Sequence, residues 1–183
     1  MRQAHSRVLL LLLATCVLPG PARAQEQASP PTQPPARKPP SCEASAPHRQ
    51  FDFWLGEWDV TAGGKQAGVN RISKILAGCV LLEEWTGNGG SEGKSFNSYD
   101  GKAGQWVQNW VDRSGGNILA RGGLRDGAMR LEGVHTYGDG HTELFRMTFT
   151  PNPDGSVRQH IEESKDDGKT WYVWFDGTYT RRP

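Results

Sequence analysis

The sequence predicts an all-β domain, a single antiparallel up-and-down β-barrel of about ten strands with a short helical turn at its N-terminal end. Three observations carry this expectation. Asp-Gly pairs stand at 100–101, 126–127, 139–140, 154–155, 167–168 and 176–177, and Asp-Gly between alternating runs is the strongest short-range hairpin signal. The runs between these pairs alternate apolar and polar residues with period two. No segment carries a long helical period, so the strands follow one another as a meander, and a meander of this length removes its edges by closing on itself.

The first element is "FDFWLGEWDV". Phe51, Trp54, Leu55 and Trp58 fall at a helical spacing, whereas Trp54, Gly56, Trp58 and Val60 alternate. The two periods divide the motif: "FDFW" is a turn of helix closing one barrel end, and the first strand starts after Gly56. The strands then read near 57–62, 67–77, 79–86, 94–100, 104–112, 117–123, 128–137, 141–150, 156–163 and 170–181. "GQWVQNWVD" sets Trp106, Gln108 and Trp110 on one face. "AMRLEGVHTY" does the same for Met129, Leu131, His135 and Tyr137, and "ELFRMTFT" for Phe145, Met147 and Phe149. "NPDG" suits a type I turn followed by a left-handed Gly155.

The barrel accounts for residues 42–183 only. Arg2 and Arg7, the apolar run "VLLLLLATCVL" and the Ala-x-Ala site at 22–24 read as a signal peptide over 1–24. Residues 25–41, "QEQASPPTQPPARKPPS", are too rich in proline and too polar to bury a core and read as a disordered linker. Cys42 and Cys79 are the only cysteines beyond the signal. An even pair in an exported chain is most simply a disulfide, and closing that loop adds roughly 3–4 kcal/mol. The expected location is periplasmic or secreted. The chain beyond residue 24 has 18 Lys and Arg against 20 Asp and Glu, with no clustered basic footprint for nucleic acid. It also lacks an apolar run able to integrate into a membrane.

Two loops imitate functional motifs and fail on count. "GNGGSEGKS" has Asn88 where a phosphate loop requires glycine, and "NPDGSVRQHIEE" has Val157 where a calcium loop requires glycine. "SKDDGKTW" matches the Asp-box pattern S-x-D-x-G-x-T-W. That box is a hairpin device in which Asp166 and Gly168 shape the turn and Trp171 packs beneath it. No tight histidine spacing or other metal-ligand set is present.

Gly56-Glu57-Trp58 resembles the Gly-x-Trp signature that opens the first strand of lipocalin-like and fatty-acid-binding-protein-like barrels. The resemblance implies that Trp58 plugs one end and that Arg181 or Arg182 packs on it. Residues 48–182 are similar to an uncharacterised family of secreted bacterial lipocalin-like domains. These open with F-x-F-W-x-G-x-W, here Phe51 to Trp58, and continue with G-C-V-L-x-E-x-W, here Gly78 to Trp85. The family implies a ligand-holding fold and brings no established activity.

The candidate ligand-binding residues are Trp58, Trp106, Gln108, Trp110, Arg146 and His160. The indoles would hold the apolar body of a small hydrophobic or amphipathic molecule, and Arg146 an acidic head. No cofactor is assigned; similarity to the haem-binding barrels called nitrobindins implies the alternative of a haem held by His160. A non-catalytic carrier is the first expectation. The alternatives are an acid–base enzyme, an isomerase or hydrolase using Glu84 or Glu162 with His160 inside the barrel, and an interaction module with a filled core.

Overall fold

The computed structural model describes residues 41–183; the expected signal peptide and, apart from Ser41, the linker lie outside the described residues. Ten antiparallel strands form one closed barrel. In chain order they are β1 (Gly56–Ala62), β2 (Lys65–Ile75), β3 (Val80–Gly87), β4 (Glu92–Asp100) and β5 (Gln105–Asp112). The second half comprises β6 (Asn117–Arg125), β7 (Ala128–Thr136), β8 (Thr142–Pro151), β9 (Val157–Ser164) and β10 (Tyr172–Arg181). Each strand pairs with the next, and β10 pairs back onto β1 through Trp58 opposite Arg181 and Val60 opposite Tyr179. The architecture is the predicted up-and-down barrel and is consistent with a calycin-like fold.

Asp126-Gly127, Asp139-Gly140, Asp154-Gly155 and Asp167-Gly168 lie in the turns between β6 and β10, with each glycine at positive φ. Asp176-Gly177 does not turn the chain: both residues continue β10, paired with His160 and Gln159. The ring of Phe175 lies where a side chain at Gly177 would stand, so this glycine makes room for an aromatic ring rather than for a bend.

Residues ahead of β1 form three single 3-10 turns, Cys42–Ala44, Pro47–Arg49 and Asp52–Trp54, where the sequence suggests one. The Cys42–Cys79 disulfide and the bond from Cys42 N to the Ala77 carbonyl (3.0 Å) fasten the first turn to the β2–β3 connection. The third turn caps the barrel. Phe51, Trp54 and Phe149 pack with ring centroids 4.6–5.0 Å apart, and all three are fully buried. Trp58 donates its indole N–H to the Trp54 carbonyl at 2.9 Å. Arg181 stacks on the Trp58 ring at 4.4 Å and bonds the Leu55 carbonyl, so Arg181 rather than Arg182 packs on the tryptophan. Gly56 (φ +132°) lies under this guanidinium, and a Cβ there would meet Arg181 Nη1 at 2.5 Å. No helix among the described residues is long and apolar enough to cross a membrane.

Candidate functional site

Interior residues from the plugged end to the other end of the barrel lie on the same strand faces, and their depth decides their role. On β5, Trp106 and Trp110 are four residues apart, about 13 Å at the rise of a strand. Trp106 packs edge-on against Phe51 (5.7 Å) and donates its N–H to Gln50, so it belongs to the plug. Trp110 lies farther along, its ring resting over Gly93 of β4, where a Cβ would come within 2.1 Å of it. Only glycine leaves space for the indole in that position.

Trp110 borders a cavity of about 290 Å³. Trp85, Trp110, Trp174, Phe175, Phe145, Met147, Ile118 and Ile161 form its walls, and Glu83, Ser91, Gln108, Gln159 and Tyr179 supply its polar groups. Trp174 is 45% exposed and belongs to the end opposite the plug. A concave, mostly apolar space with a few convergent polar groups is the usual form of a small-molecule site.

Four of the polar groups, Glu83, Gln108, Gln159 and Tyr179, belong to one connected network, joined in the middle by Asn70 Nδ2, which also reaches the Tyr179 hydroxyl at 3.3 Å. Glu83 is 4% exposed and accepts from Asn70 Nδ2 at 2.7 Å and from Ser95 Oγ at 2.6 Å. Asn97 donates to Ser95, and Gln108 donates to Asn97, each at 2.8 Å. The Tyr179 hydroxyl donates to Gln159 Oε1 at 2.6 Å. Burial pushes the Glu83 carboxyl up to about 7, against the opposing hydrogen bonds from Ser95 and Asn70. Burial, then the neighbouring Glu83, drives the Tyr179 phenol well above its ordinary value, so Tyr179 remains a donor. Asn70 Oδ1 is buried and finds no partner among the described residues.

A second polar cluster stands between β7, β8, β9 and β10. Glu163 is fully buried and is bonded to His135 Nδ1 and the Tyr137 hydroxyl at 2.6 Å each, and to the Tyr172 hydroxyl at 2.9 Å. Tyr172 also contacts Glu143. The His135 ring lies edge-on to Phe145 and Trp174, two residues of the cavity wall. No group of three or more His, Cys, Asp or Glu among the described residues is placed to hold a metal ion.

Of the six candidate residues, Gln108 and Trp110 line the cavity, and the other four do not. Trp58 and Trp106 face inward but are taken up by the plug. Arg146 and His160 require correction, because both stand on the outer face. Their strand neighbours Phe145, Met147, Gln159 and Ile161 point inward, and alternation sends Arg146 and His160 the other way. Arg146 pairs with Glu162 at 2.8 Å and stacks on Trp171 at 4.0 Å; His160 lies 3.9 Å from Glu162. His160 is therefore no interior haem ligand, and Arg146 offers the cavity no charge. Glu84, ion-paired with Lys94, and Glu162 also face outward, so the acid–base set expected inside the barrel is not there. The interior carboxylates are their neighbours Glu83 and Glu163.

The Asp-box segment does serve as a hairpin device. Asp166 accepts from Thr170 N and Thr170 Oγ1 at 2.8 and 2.7 Å, and Ser164 Oγ accepts from Gly168 N at 2.9 Å. The Trp171 indole donates to the Gly168 carbonyl at 3.1 Å. A scan against protein-family models gives no match, and no curated protein matches the chain.

Proposed function

We propose that this protein is an exported, lipocalin-like carrier or sensor that holds a small hydrophobic or amphipathic molecule inside its barrel without transforming it. The observation that carries this reading is the cavity of about 290 Å³, with aromatic walls and a polar network at Glu83, Gln108, Gln159 and Tyr179. A barrel serving only as an interaction module has no need to leave such a space, because an unfilled interior forfeits dispersion contacts along its whole lining. The disulfide and the signal-like leader support the exported part of the reading.

Titration with N-phenyl-1-naphthylamine, a neutral apolar fluorophore, tests it. Its emission is expected to rise on binding. The rise is expected to vanish in Ala67→Phe, which places a ring in the cavity from its lining. Binding that persists unchanged in a folded Ala67→Phe protein would put the probe elsewhere and overturn the interior site.

A further inference from the structure

We infer that the barrel selects molecules whose polar head is an amine, a protonated nitrogen on an apolar body. This rests on the ligand-holding reading above. The first argument is charge. The cavity lining contains one carboxyl group, Glu83, one phenol, Tyr179, and no lysine, arginine or histidine. A carboxylate or phosphate head would therefore leave water for a space that offers it no counter-charge and already holds an acid. Arg146, the residue that would have welcomed such a head, is outside the barrel.

The second argument is a count of donors and acceptors. A carboxylate has about four lone-pair sites, and Glu83 receives two donors, from Asn70 and Ser95. The network thus has acceptor capacity to spare at its one acid. An ammonium group brings three donors and no acceptor, which complements what is unfilled.

The third argument is the wall. Trp85, Trp110 and Trp174 surround the space above this network, and the faces of indole rings attract cations, the more so where both are desolvated. An acid below and indoles around are the two kinds of group that stabilise a buried ammonium. Neither favours an anion. The head would draw the Glu83 carboxyl into its ionised form, since an opposite charge at close range favours that form.

The test uses three probes with one skeleton, 3-phenylpropylamine, 3-phenylpropan-1-ol and 3-phenylpropanoate, titrated calorimetrically into the whole protein at about pH 8. The amine is expected to bind at least about tenfold more tightly than the alcohol, as a charge-assisted hydrogen bond allows, and the carboxylate most weakly. In Glu83→Gln the amine is expected to fall to within about threefold of the alcohol. The wild-type ranking stands without the variant, so a variant that fails to fold does not remove the test. An alcohol or carboxylate binding as tightly as the amine overturns the amine inference and leaves the ligand-holding reading standing. If none of the three binds and N-phenyl-1-naphthylamine gives no signal either, both fall together.

Discussion

Glu83 and Glu163 sit on opposite sides of the same barrel, both nearly inaccessible to water, yet they are held in different states. Burial raises the pKa of each. At Glu83 two neutral donors, Ser95 and Asn70, only partly offset that rise, and the carboxyl stays at about 7. At Glu163 bonds from His135, Tyr137 and Tyr172 outweigh burial, so the group is held below its ordinary value. The phenols of Tyr137 and Tyr172 are pushed well up, first by burial and then by the adjoining acids, so they remain donors throughout the working range. The difference teaches that burial alone does not set the charge of an interior acid; the number and kind of its donors does. It also separates two roles. Glu163 has three donors and ties β7, β9 and β10 together. Glu83 has unfilled acceptor sites beside a cavity.

The largest expected effect tests the tying role. Glu163→Gln places an amide N–H₂ against groups that must themselves donate; each buried donor left without an acceptor costs about 1–3 kcal/mol, so a total loss of about 3 kcal/mol is expected. Urea unfolding at about pH 7 measures it. A loss below about 1 kcal/mol would mean that Glu163 is not a structural tie, and the comparison would break on that side.

Glu83→Gln sharpens the other side, with a sign that depends on pH. The folded-state pKa of Glu83 lies above the ordinary carboxyl value of 4.5, at about 7. Between those values the folded protein binds a proton that the unfolded chain releases, so this group lowers stability as pH rises. At 1.36 kcal/mol per pKa unit the full change is about 3 kcal/mol. Glu83→Gln removes the slope. Its stability relative to wild type is expected to improve from about pH 5 to about pH 8, read from urea midpoints at both. A relative stability that is flat with pH would show that Glu83 ionises freely in the folded state.

Which of these residues could be read beforehand follows from what a strand period contains. Period two tells which residues share a face, and it grouped Trp106, Gln108 and Trp110 correctly. It does not tell depth along the barrel, so Trp106 looked equivalent to Trp110 although one packs in the plug and the other borders the cavity. Nor does it say which face is inside when both carry apolar residues. The outer face of this barrel exposes Leu119, Val134 and Leu144, cross-strand neighbours on β6, β7 and β8, so the face of Arg146 was a plausible interior. On β9 the inner face carries Val157 and Ile161 and the other face, with Arg158, His160 and Glu162, is wholly polar, so the alternation points inward at Gln159 and Glu163 and away from the histidine. A usable signal did exist for Glu83. It alternates with Leu81 and Trp85, whereas Glu84 alternates with Leu82 and Thr86, and the more apolar set is the inner one. The hairpins, the plug and the disulfide were legible because each rests on local chemistry: a turn dipeptide, an aromatic cluster next to a strand start, and an even cysteine pair.

The smallest effect is the most diagnostic, because it changes the donor count at Glu163 by one. Tyr137→Phe deletes a single hydroxyl and retains the ring, which stacks on His135 at 3.9 Å and on His141 at 4.2 Å. The packing is kept, and Glu163 still has His135 and Tyr172. A hydrogen bond to a charged group contributes about 1.5–3 kcal/mol, and here the two remaining donors can tighten, so a loss near about 1.5 kcal/mol at pH 7 is expected. The accompanying shift decides the matter. A lowered carboxylate stabilises the fold above its ordinary pKa, and that contribution is lost as pH falls through the folded-state value. With one donor fewer, the folded-state value of Glu163 rises towards the ordinary one, and acid unfolding should begin at a higher pH than in wild type. An equal loss of stability at all pH values would mean that the hydroxyl acts only through packing. The contrast between the two interior acids would then rest on His135 and not on the count of donors.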